Sequence, residues 1–208
     1  MITLGPLELF ILFFVTLGPL KLVGPFVHAT GAVDAKTASS IAIRAFALAT
    51  ICVLAAGFGG SLILAKWHVS MGAMTLAGGL IFLLVALRQV LEQYDPLPAP
   101  PPVAPPTSPM ASAMRLTFPL IVPPYGIAAV IILFAAAWSG TRLEIIVAML
   151  VLVMGLNLLA MLFARTLMLH GPVALVLRVV GAVLGVLQVA LAVQIMLRAL
   201  REFGVPLP

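Results

Sequence analysis

Apolar residues gather into six long runs, at 4–30, 41–65, 69–91, 116–138, 143–163 and 173–197, separated by short polar breaks. Each matches the roughly 17–25 residues that a helix needs to cross a bilayer core. None shows the apolar/polar alternation over about 10 residues that marks a barrel strand. The pattern predicts an all-α polytopic bundle of six transmembrane helices. The first run has neither a basic stretch before it nor a small-residue cleavage site after it, so it reads as a retained helix rather than a signal peptide.

Composition excludes the soluble alternative. Of 208 residues, 63% are hydrophobic and 8% charged, with mean hydropathy +1.28; a water-soluble globule of this size has no interior large enough for so much apolar surface. The net charge of +5 comes from basic residues near helix ends, which suits lipid headgroups and not nucleic acid. Cys52, alone of its kind, reads as a small buried apolar residue.

Hydropathy collapses in DPLPAPPPVAPPTSP, where proline fills eight of the fourteen residues from Pro96 to Pro109. The tract reads as extended or disordered linker and divides one membrane domain into three-helix halves at 1–94 and 115–208, joined by 95–114. The halves resemble one another. Pro19-Leu20 with Pro25 parallels Pro119-Leu120 with Pro124, and GLIFLLVALRQVL from Gly79 lines up with GVLQVALAVQIML from Gly185, pairing Ala86 with Ala192. Three spans per half return the chain to the opposite face, so the repeats are expected to be inverted. Inverted repeats whose equivalent helices are interrupted by Gly and Pro mark secondary transporters, with substrate held at the interruptions.

The interruptions are LGPLKLVGPF in the first run and FPLIVPPYG in the fourth. Proline removes a donor and clashes with the preceding turn, so an unwound segment is expected over 18–25, tolerable only where it lines a protein cavity. Half-helix ends facing such a cavity carry opposite partial charges, which suits a zwitterion. The candidate substrate-binding residues are therefore Gly18, Pro19, Lys21, Gly24, Pro25, Pro119, Pro123, Pro124, Tyr125 and Gly126, with Asn157 of the fifth run added as a mid-depth polar group. Asn157 suits a substrate hydrogen bond and a helix-to-helix link equally.

Taken together, LGPLKLVGPF, AIRAFALAT, LAGGLIFLLVALR, FPLIVPPYGIAAVIILF, RVVGAVLGVLQ and QIMLRAL resemble the MarC family of bacterial and archaeal inner-membrane proteins, which includes the SnatA-type neutral amino acid transporters. The resemblance implies six helices in two inverted repeats, interrupted first and fourth helices, and transport of small neutral amino acids. The chain departs from the family where relatives carry Asp-Pro or Asn-Pro followed by Gly-Asn, having Gly18-Pro19-Leu20-Lys21 instead, and Pro123-Pro124-Tyr125-Gly126 where Ala-Gly-Pro is usual.

Lys21 is the one ionisable residue expected at mid-depth, a position that costs roughly 2.5–3.5 kcal/mol on insertion scales. It reads either as an anion-binding or proton-carrying group or as a cap on broken-helix carbonyls and a snorkelling cation. All acidic residues (Glu8, Asp34, Glu92, Asp95, Glu144, Glu202) fall near helix ends or in loops, so any coupling ion, H+ or Na+, must rely on carbonyls, Lys21, or Asn157, Gln188 and Gln194. Arg44, Arg88, Arg165 and Arg178 read as interfacial snorkels, Arg44 with the better claim to a role. Trp67 and Trp138 read as interfacial anchors. His28, His68 and His170 form no ligand pattern, so neither a metal nor another cofactor is expected.

The reading is a multi-pass inner-membrane carrier of a small polar metabolite, with the lipid bilayer and the substrate as partners and self-association left open. Basic residues number six on one face against four on the face holding both termini, which places the termini outside the cytoplasm. A channel or a non-transporting membrane interaction protein is the alternative. No nucleophile–base spacing suggests an enzyme.

Overall fold

The computed structural model describes residues 5–91, 108–137, 141–169 and 171–205. Among these there are eight α-helices and no strand: α1 (Pro6–Leu17), α2 (Val23–Thr30), α3 (Ala35–Lys66), α4 (Met71–Leu91), α5 (Pro109–Arg115), α6 (Pro124–Ala136), α7 (Thr141–Leu169) and α8 (Gly171–Glu202). Four helices are individually long and apolar enough to span a membrane, and α5–α6, bent by 67°, makes a fifth candidate. α1 is a shorter apolar helix. With apolar side chains such as Ile51, Leu84, Leu152 and Leu187 turned outward, this is a multi-pass membrane protein.

Hydropathy placed the span boundaries too tightly. α3 starts at Ala35, not at 41, because Asp34 caps it, accepting from the Lys36 and Thr37 amides at 3.2 and 3.3 Å. α7 and α8 likewise extend beyond their apolar runs. α5 begins within the stretch assigned to the linker, at Pro109. Ser108 caps it by accepting from Ala111 N–H at 3.2 Å, and a proline at the first helical position loses no hydrogen bond there. Residues 95–107 of the linker expected over 95–114, Trp138 and His170 lie outside the described residues.

α3 buries a face of small side chains, Ala38, Ala42, Ala45, Ala49 and Gly57, at helical spacing. Small residues let membrane helices approach closely; a Cβ on Gly57 would lie 2.8 Å from the Phe134 ring of α6. Cys52, expected to be buried, is exposed on α3. α3 packs on α5 and α6, and α7 packs on α1 and α2. α3 also meets α7, and α4 lies along α8, where Ala86 and Ala192 are both fully buried.

Candidate functional site

Helix α1 ends at Gly18, which is extended (φ −73°, ψ 170°), and the chain then makes one 3-10 turn over Pro19–Lys21 before α2. A side chain at Gly18 would be impossible in this path, since a Cβ there would stand 1.8 Å from the Phe14 carbonyl oxygen. The break is shorter than the 18–25 expected. Gly24 and Pro25 lie in the first turn of α2 and are exposed. A proline costs nothing there, because the first amides of a helix have no intrahelical acceptor.

Ending α1 at Leu17 orphans its last carbonyls. Val15 O would ordinarily accept from residue 19, but Pro19 has no N–H. Side chains from three elements replace the missing donors. Gln188 Nε2 of α8 donates to Val15 O at 2.8 Å, Lys21 Nζ to Thr16 O at 2.6 Å, and Asn157 Nδ2 of α7 to Leu17 O at 2.8 Å. Asn157 is buried and its Oδ1 has no partner among the described residues.

The second interruption runs through a π turn over Leu116–Ile121, with Phe118 extended (φ −126°, ψ 130°), and through Pro123, whose ψ of 155° starts α6 afresh. Pro119 and Pro124 are exposed, while Pro123, Tyr125 and Gly126 are buried. The two breaks meet. Gly126 faces Leu17, whose Cδ2 lies 2.5 Å from where a Cβ would stand, and Tyr125 Oη accepts from Lys21 Nζ at 3.3 Å. Lys21 Nζ also stands 5.4 Å from the Tyr125 ring centroid. That ring stacks on Phe82 of α4, centroids 4.8 Å apart.

Of the residues singled out from the sequence, Gly18, Lys21, Pro123, Tyr125, Gly126 and Asn157 thus gather at one junction, with Pro19 half-buried beside them. Gly24, Pro25, Pro119 and Pro124 face outward and shape the helix ends instead. Gln188 and the Thr16 carbonyl complete the junction. Gln188 was visible in the sequence as a mid-span polar residue, whereas nothing local marks Thr16.

A cavity of about 30 Å³ touches Thr16, Phe82 and Tyr125. Through Thr75 and Ile132 its lining is shared with a larger one of about 250 Å³, which reaches Arg142 and Glu202 on the face where α1 begins and α8 ends. On the opposite face Arg165, read from sequence as a snorkel, donates through Nη2 to the carbonyls of Thr30 and Val33, the latter at 2.7 Å. The far end of α2 is thereby tied to α7. Arg44 is exposed on α3.

No curated protein and no solved structure matches the chain. The family model described as MarC family integral membrane protein matches residues 6–203, nearly the whole length. A helical membrane protein with that match from its first helix to its last belongs to the MarC family.

Proposed function

We propose that the protein is a secondary carrier of a small neutral amino acid, and not an enzyme, working by alternating access around the junction of the two broken helices. The observation that carries this reading is the meeting of the two breaks. The carbonyl end of α1 and the first turn of α6, ends of opposite partial charge, touch at Leu17 and Gly126. An amino acid presents an ammonium and a carboxylate a few ångströms apart and matches that pairing.

Two features support the mechanism. Exchanging α1–α2, α3 and α4 for α5–α6, α7 and α8 maps the packing of α3 on α5–α6 onto that of α7 on α1–α2 and keeps the α4–α8 and α3–α7 pairs, although the contact of α7 with α8 has no comparable counterpart between α3 and α4; this partial symmetry supports two inverted repeats. The cavity at the junction shares its lining with one that reaches the face where α1 begins and α8 ends, while Arg165 ties the opposite face. Rocking of one repeat against the other would exchange these states. By the positive-inside tendency, the face where α1 begins lies outside the cytoplasm of a bacterial or archaeal inner membrane.

Purified protein in liposomes tests the reading through flux of labelled glycine and alanine. Saturable, stereoselective flux is the expected result. Non-saturating flux would indicate a channel, and neither flux nor binding would leave a membrane interaction role.

A further inference from the structure

We propose that the Lys21 ammonium is a tethered substitute for a ligand's ammonium, seated in the ligand's own subsite and displaced from it on binding. The subsite consists of the Thr16 carbonyl at 2.6 Å, the Tyr125 hydroxyl at 3.3 Å and the Tyr125 ring face at 5.4 Å to its centroid. A carbonyl, a hydroxyl oxygen and a π face suit the N–H donors and charge of any primary ammonium. Nothing in that set is specific to a lysine.

Lys21 differs from the other two groups that close the end of α1. Asn157 and Gln188 project on short side chains from the long helices α7 and α8, and their donors are fixed by those helices. Lys21 sits in the turn that forms the break and reaches back five residues on a four-carbon stem, so its head can leave while the helices stay. The small cavity beside Thr16 and Tyr125, about 30 Å³, holds about one water-sized group. Its shared lining with the 250 Å³ cavity supplies the approach.

Displacement sets a condition on the ligand. A bare amine taking the subsite would strand the Lys21 cation in a water-poor interior, which is strongly unfavourable. A zwitterion brings a carboxylate that pairs with the displaced ammonium. A bare anion leaves Lys21 seated and gains no subsite. The residue therefore selects molecules carrying both charges, and a free amine binds only when Lys21 is removed. The amino-acid ligand rests on the carrier reading above; the ammonium subsite does not.

The test uses wild type and Lys21→Ala, purified in detergent, with apparent melting temperature followed against methylammonium, tetramethylammonium and sodium chlorides at equal ionic strength. Ligands that bind the folded state raise that temperature by mass action. A saturable rise with methylammonium alone, in Lys21→Ala and absent from wild type, is expected. Equal effects of the three salts on Lys21→Ala, or the same methylammonium response in wild type, would overturn the proposal. If Lys21→Ala survives extraction only with methylammonium present, the subsite is supported; failure that methylammonium does not relieve counts against it. Glycine on wild type is read separately. Its failure alongside a methylammonium site in the variant removes the amino-acid reading and keeps the subsite, and the converse result removes only the Lys21 assignment.

Discussion

Gln188 on α8 donates to the carbonyl of Val15, the one carbonyl of α1 whose ordinary partner is a proline nitrogen. The pairing crosses 173 residues of sequence and repairs a defect that Pro19 creates. Gln188→Leu keeps the bulk and removes the donor, leaving a buried acceptor unsatisfied. A loss of about 1–3 kcal/mol is expected, read from denaturant or thermal unfolding in detergent; an unchanged midpoint would mean that water replaces the amide.

Asn157→Leu removes the donor to Leu17 O and should cost a similar amount, about 1–3 kcal/mol. Because Gln188 and Asn157 hold carbonyls two residues apart on one frayed helix end, their losses should not add. A double-mutant cycle should give a coupling of at least about 0.5 kcal/mol, and strict additivity would show that the end of α1 does not move as a unit.

Gly126→Ala drives a Cβ to within 2.5 Å of Leu17 Cδ2. Overpacking of this kind costs about 1–3 kcal/mol. Adding Leu17→Ala to that background should recover part of the loss, although Leu17→Ala alone is destabilising. Absence of recovery would disprove direct contact between the breaks.

Arg165→Met removes the donor to Thr30 and Val33 while keeping much of the apolar stem. Ser39 lines a small cavity beside Arg165. In a Cys52→Ala background, Ser39→Cys should react several-fold faster with an impermeant maleimide once Arg165 is replaced. Equal rates would deny Arg165 a role in holding that face closed.

Asp34 caps α3, and the hydroxyl and amide of Thr37 hold its carboxyl below the usual carboxylate range. A folded value below the unfolded one means the contribution is present above the unfolded value and disappears as pH falls through the folded one. Acidification below about pH 4 should therefore fray the start of α3. Hydrogen exchange at Lys36 and Thr37 should accelerate there in the wild type and show no such acid step in Asp34→Ala.

How far the sequence revealed this arrangement depends on the range of the forces involved. Proline and glycine act on their own turn, so Gly18-Pro19 and Pro123-Pro124 announced breaks that the structure contains. Gly24-Pro25 carried the same signal and lies in a helix, because a proline's cost vanishes near an N-terminus, and composition does not say where a helix starts. Helix ends beyond the apolar runs were missed for α3, α7 and α8, since hydropathy reports lipid contact and not hydrogen-bonded length. A cap on broken-helix carbonyls was among the readings of Lys21, but the particular carbonyls that Lys21, Gln188 and Arg165 reach were invisible for another reason: every residue has one. Which carbonyl loses its helical donor, and which side chain is near enough to replace it, are settled only by packing.

α3 has 32 residues, about 48 Å at 1.5 Å per residue. A bilayer core of about 30 Å would enclose such a rod only at a tilt near 50°, beyond the roughly 0–40° that membrane helices adopt. Part of α3 therefore stands among the headgroups or in water, and its polar first turn, with Lys36, Thr37 and Ser39, has the composition that suits that place. A label fixed at Lys36, which is exposed beside the Asp34 cap, is then reachable by reagents that do not enter the membrane.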